Sequence, residues 1–108
     1  PLICKNKKND NKYFAIRYSE FETIHTAKKF INNVGWIWID TFSKLPLNNK
    51  NLKLIKKFRS CLVCPERWGR PKDIKHYFTK LKYLNFLPNA VMTSKKYFKT
   101  WEKLTINY

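Results

Sequence analysis

Three acidic side chains, Glu20, Asp40 and Glu66, each stand shortly after a short apolar run, in a chain of 108 residues with only seven Asp and Glu in all. Three of the four arginines, Arg17, Arg67 and Arg70, lie beside them. Carboxylates gathered in this way suit general acid/base work or a site that needs negative charge. Neighbouring guanidiniums suit an anionic substrate such as a phosphate. Two plainer readings stand next to these. The acids would also serve as leaders of helices, whose N-termini favour negative charge, and the arginines would also pair with the acids.

The remaining reactive residue types carry less. Cys61 and Cys64 have CxxC spacing, but residues i and i+3 of a strand point to opposite faces, so they cannot share an ion or readily form a disulfide. A redox pair also wants a helix N-terminus. They read as buried structural thiols. His25 and His76 fall on helical segments and read as surface histidines, and no Ser-His-Asp or Cys-His arrangement is evident. Trp36 and Trp38 lie in an apolar run and Trp101 on an apolar stripe, which reads as core rather than as platforms for stacked bases. Trp68, in a loop, is the credible ligand contact.

Four apolar runs must position these groups: Tyr13-Phe14-Ala15-Ile16, Trp36-Ile37-Trp38-Ile39, Cys61-Leu62-Val63-Cys64 and Ala90-Val91-Met92. None alternates apolar with polar, so each predicts a strand buried on both faces, as in a parallel sheet. Helical stripes follow each run. Ile24, Ala27, Ile31 and Val34 form the first, and Leu52, Ile55 and Phe58 the second. Ile74, Tyr77, Phe78 and Leu81 form the third, and Tyr97, Phe98, Trp101 and Leu104 the last. Asn48 and Asn49, Pro71 with Asp73, and Ser94 supply start signals. Strand starts near 13, 36, 60 and 90 leave spacings of about 23, 24 and 30 residues, which suit βα units with short loops. The fold class is therefore α/β, four successive βα units forming a parallel sheet, open or rolled as part of a barrel. Residues 1–12 read as a polar lead-in and 13–108 as the domain. In such folds function collects at the carboxyl ends of the strands, where the acids and arginines stand.

With 23 Lys and Arg against 7 Asp and Glu the net charge is +16. Clustered cations favour nucleic acid through counterion release, but the 19 lysines are spread over the whole chain. The chain also holds 11 Asn, 9 Ile, 8 Phe and 6 Tyr against 3 Ala and 2 Gly, the usage that A/T-rich codons produce without functional demand. That account outweighs a nucleic-acid role. Two glycines exclude a Gly-rich phosphate loop. No apolar run reaches the roughly 18 residues of a membrane span. Three cysteines without a disulfide framework, and no secretory segment, give a reducing cytoplasmic setting as the expectation.

Phe14-Ala15-Ile16-Arg17-Tyr18-Ser19-Glu20-Phe21-Glu22, Trp38-Ile39-Asp40-Thr41-Phe42 and Cys61-Leu62-Val63-Cys64-Pro65-Glu66-Arg67-Trp68-Gly69-Arg70 occur in that order. They resemble the C-terminal half of a bacterial family similar to glycerophosphodiester phosphodiesterases, TIM barrels of the phosphatidylinositol-phosphodiesterase superfamily. In that family an Arg-x-Ser-Glu-aromatic-Glu segment, a Trp-x-Asp-x-Phe strand and a Cys-Leu-Val-Ser-Pro-Glu-x-x-Gly-Arg strand follow one another. Here Cys64 replaces the usual Ser. Pro88 to Thr93 resembles the last barrel strand and Trp101 the closing helix, so the resemblance covers roughly residues 13 to 104.

The resemblance implies the C-terminal half of a (β/α)8 barrel, phosphodiester hydrolysis and a divalent cation, Mg or Ca. Its His-Arg-Gly catalytic segment and Glu-x-Asp metal ligands belong to the first half, and neither motif occurs here. No catalytic residue is therefore assigned. Glu20, Asp40, Glu66 and Trp68 would line the substrate side of the pocket, with Arg17 and Arg70 as phosphate or substrate contacts. A half barrel exposes two strand edges, so the expectation is a C-terminal piece of a longer protein, inactive alone. It would aggregate, form a homodimer or pair with a complementing chain. The alternative is a small basic nucleic-acid-binding protein.

Overall fold

The computed structural model describes residues 14–31 and 34–106. The polar lead-in, Cys4 and Tyr13 lie outside the described residues. Four strands, β1 (Ala15–Tyr18), β2 (Trp36–Ile39), β3 (Arg59–Val63) and β4 (Ala90–Met92), alternate with four helices, α1 (Ile24–Lys28), α2 (Asn49–Ile55), α3 (Ile74–Tyr83) and α4 (Phe98–Ile106). All three strand pairings are parallel and the spatial order is β1-β2-β3-β4. The α/β class and the βα order are thus as the periodicity predicts.

Local chemistry explains the boundaries. Thr23 caps α1, its side chain accepting from the Thr26 N–H. Asn48 caps α2, accepting from the Lys50 and Asn51 amides while the Asn51 side chain accepts from the Asn48 N–H, so two orphan donors are satisfied reciprocally. Pro65 opens a 3-10 turn over Pro65–Trp68, and Gly69 closes it at φ +80°, a left-handed conformation that glycine adopts without a Cβ penalty. The first helix is shorter than its stripe. It ends at Lys28, and Val34 is buried beyond it. Ser94 leads a 3-10 turn over Lys95–Tyr97 before α4 begins.

The helices cover one face of the sheet. Tyr18, Ile37, Ile39 and Leu62 from the strands form one cluster with Ala27, Leu52, Ile55, Ile74, Tyr77, Phe78, Leu81 and Trp101 from the helices. Each fully buried aliphatic side chain stabilises by about 1.5–3 kcal/mol. Burial on both faces, expected from the unbroken apolar runs, holds in β3, where Cys61 and Val63 on the opposite face are buried as well, but not along the other strands. The alternate residues point the other way: Trp36 and Trp38 are half-buried, and Met92 and Ala15 are exposed. The guanidinium of Arg59 stacks over Trp36, 4.9 Å from the ring centroid. β1 and β4 each pair on one side only among the described residues. None of the 19 lysines falls in a described strand.

Candidate functional site

Register sets the site. Arg17 in β1 lies beside Trp38 in β2, so its side chain reaches Asp40, two residues further along the same face. Arg17 Nε donates to Asp40 Oδ2 at 3.0 Å, and Trp68 Nε1 donates to Asp40 Oδ1 at 2.9 Å. Asp40 is buried and both of its oxygens are engaged. Arg17 Nη1 donates to Glu22, which also accepts from the Ser19 hydroxyl. The bond to Asp40 raises the Arg17 pKa, burial works against it, and Glu22 adds to the rise. Three sequence candidates, Arg17, Asp40 and Trp68, therefore meet across three successive strand ends.

The other three are placed elsewhere. Glu20 accepts from the Ser43 hydroxyl at 2.6 Å and lines a separate cleft with Tyr18, Lys44, Asn48 and Lys80, of about 340 Å3. Burial pushes the Glu20 carboxyl upward, but the Ser43 hydroxyl and the backbone amides of Glu20 and Ser43 together leave it below its ordinary value. Glu66 faces α4: its Oε2 accepts from Trp101 Nε1 at 2.8 Å and from the Thr93 hydroxyl, while Oε1 is buried without a partner among the described residues. Arg70 donates through Nε to Asp73, through Nη1 to the Phe42 carbonyl, and through Nη2 to the Thr41 carbonyl and the Tyr77 hydroxyl. That set fastens the loop after β2 to α3. Ion pairing, one of the two readings of the arginines, describes Arg17, and Arg70 pairs with Asp73 rather than with a strand-end acid.

A cleft of about 360 Å3 opens at the carboxyl ends of β2, β3 and β4, lined by Trp38, Asp40, Val63, Arg67, Trp68 and Met92. Trp68 is held by Phe42, whose ring lies edge-on to it at 4.7 Å and 79°, and Phe21 extends the aromatic rim at 6.0 Å from Phe42. Sequence reasoning left out Trp38 and Met92, because facing one cleft depends on strand register that spacing alone does not give. Cys61 and Cys64 are buried free thiols, both pushed up by burial, with Glu66 adding to the rise at Cys64. His25 and His76 are exposed.

Among the described residues no three His, Cys, Asp or Glu side chains gather to hold a metal ion, and Glu20, Asp40 and Glu66 each accept from protein donors. Among the same residues no helix is long and apolar enough to cross a membrane.

Fold and site together define an α/β protein with a four-stranded parallel sheet, covered by helices on one face and carrying a polar cluster at the strand ends. Comparison with family profiles, with curated proteins and with solved structures finds no match to the chain.

Proposed function

We propose that the chain is the substrate-side half of a phosphodiesterase-like (β/α)8 barrel, contributing pocket residues for a glycerophosphodiester-type substrate and inactive alone. The observation that carries this reading is the one-sided sheet. Strands in consecutive order with helices on one face are what half of a closed barrel presents, since its other face is the barrel interior. The half-exposed Trp36 and Trp38, the edges of β1 and β4 that are unpaired among the described residues, and the absence of lysine from every described strand agree with it. Edge strands that must stay unpaired are commonly blunted with lysine or proline. The completing partner is the family's first half or a second copy of this chain. The divalent cation that the resemblance implies belongs with the Glu-x-Asp segment of that first half, because the acids here are bonded to protein donors.

The test is an assay of the 108-residue chain on a glycerophosphodiester, with and without added Mg or Ca. No turnover is expected, and metal-dependent turnover overturns the reading. Light scattering adds a second check: self-association through the open face is expected, lost in a Trp36→Lys/Trp38→Lys variant. A stable monomer counts against the half barrel.

A second reading, a basic nucleic-acid-binding protein, has one observation in its favour. Trp36 and Trp38, with Arg59 stacked on Trp36, would offer bases a flat surface on a chain of charge +16. A steep fall of DNA affinity with salt supports it, and negligible binding near physiological salt dismisses it.

A further inference from the structure

We infer that Arg67 is the anion-binding group of the strand-end cleft, holding the phosphate of an ester whose planar or apolar substituent lies against Trp38, Trp68 and Met92. The choice of a phosphate ester rests on the function proposed above. The assignment of Arg67 rests on the geometry.

The four arginines differ in what they have left to offer. Arg17 donates to Asp40 and Glu22, Arg70 uses four N–H bonds on Asp73, Phe42, Thr41 and Tyr77, and Arg59 lies on the Trp36 ring. Arg67 is exposed, lines the cleft, and its guanidinium has no hydrogen bond or ion pair with any described residue. An unengaged guanidinium presents a planar fork that matches two oxygens of a phosphoryl group. Of the two arginines that the resemblance offers as contacts, Arg70 has all three nitrogens bonded and Arg17 has Nε and Nη1 held by carboxylates.

The rest of the cleft suits the remainder of such a ligand. Trp38, Val63 and Met92 form an apolar floor. Trp68 is fixed in orientation by its bond to Asp40 and by the edge-on Phe42 ring, so little freedom is lost when a ligand covers it. Asp40 faces the same space, but its charge is countered by Arg17. A volume of about 360 Å3 falls in the range of small-ligand sites, roughly 300–1,000 Å3. The cleft also lies where ligands of parallel α/β folds bind.

The test is a titration of the full 108-residue chain followed by tryptophan fluorescence. The probes are methyl phenyl phosphate, inorganic phosphate and phenol. The diester is expected to bind and to perturb the fluorescence, more tightly than either of the other two. Arg67→Ala is expected to weaken it by about tenfold or more, the scale of a lost charge-assisted bond, and Arg67→Lys to recover part of that loss. Lys72→Ala removes the same charge from an exposed neighbour and is expected to leave affinity unchanged. Equal losses in Arg67→Ala and Lys72→Ala would mean diffuse attraction to a cationic chain and overturn the inference. So would the absence of diester binding at millimolar concentration. Inorganic phosphate binding as tightly as the diester would overturn the role given to the aromatic wall. Turnover by the chain alone would remove the half-barrel reading and leave Arg67 in place, so the two failures are distinguishable.

Discussion

The indole N–H of Trp101 donates to Glu66 Oε2 at 2.8 Å, tying the last helix to the loop after the third strand across 35 residues of sequence. The Thr93 hydroxyl donates to the same oxygen, and the other carboxylate oxygen is buried without a partner among the described residues. Helix α4 follows the short edge strand β4, and this contact fastens it alongside the packing of Trp101 on Phe78. Trp101→Phe keeps most of the buried ring and removes the donor. The expected cost is about 1–3 kcal/mol, the scale for leaving a buried polar group short of a partner. It is checked by a lower urea midpoint at unchanged m value.

Arg70→Lys is expected to destabilise by about 1–3 kcal/mol, because a point charge cannot reproduce a fork that reaches two carbonyls, a carboxylate and a phenol at once. Arg67→Lys, three residues earlier and free of such bonds, is expected to leave stability unchanged. Thermal melts of the two variants side by side check the contrast. Equal melting temperatures would remove Arg70 as the link between the loop after β2 and α3.

Glu20 links stability to pH. Its carboxyl is held below the ordinary value of 4.5, since the Ser43 hydroxyl and nearby amides outweigh the opposing effect of burial. A lowered folded value means that its contribution is fully present above about 4.5 and is lost as the pH falls through the folded value. The stability difference between the wild-type chain and Glu20→Gln is therefore expected to be present at neutral pH and to shrink on acidification below that range. Urea titrations across the range check it, and a difference independent of pH would rule out the coupling.

Cys61 and Cys64 are expected to resist alkylation in the native chain and to react promptly in denaturant. Burial raises both thiols, so little thiolate is present near neutral pH. Timed labelling with a thiol reagent and mass measurement checks this. Rapid native labelling of either residue would place that thiol in solvent.

Much of the fold was legible in the order of residues. The four apolar runs became β1 to β4, and Asn48 and the stripe Ile74, Tyr77, Phe78, Leu81 marked helices that form as periodicity requires. These signals are local: a cap needs only its own amides, and a stripe needs only one helix face. A local signal can also run on past its element. The first helix stops at Lys28, although its apolar spacing continues to Val34.

The site was less legible, because it depends on which strand lies beside which and in what register. The sequence by itself determined that acids and arginines stand at strand ends, and that Trp68 is in a loop beside them. Only the tertiary structure decided which of them meet. Register brings Arg17, Asp40 and Trp68 together, sends Glu66 to Trp101 and Thr93, and commits Arg70 to backbone carbonyls. The apolar runs likewise announced buried strands without saying that one face would carry no helix and stay partly open at Ala15, Trp36, Trp38 and Met92. An unbroken run shows that both faces avoid charge. Whether each is covered depends on where the helices pack, and all four pack on the side of Ile37, Ile39 and Leu62.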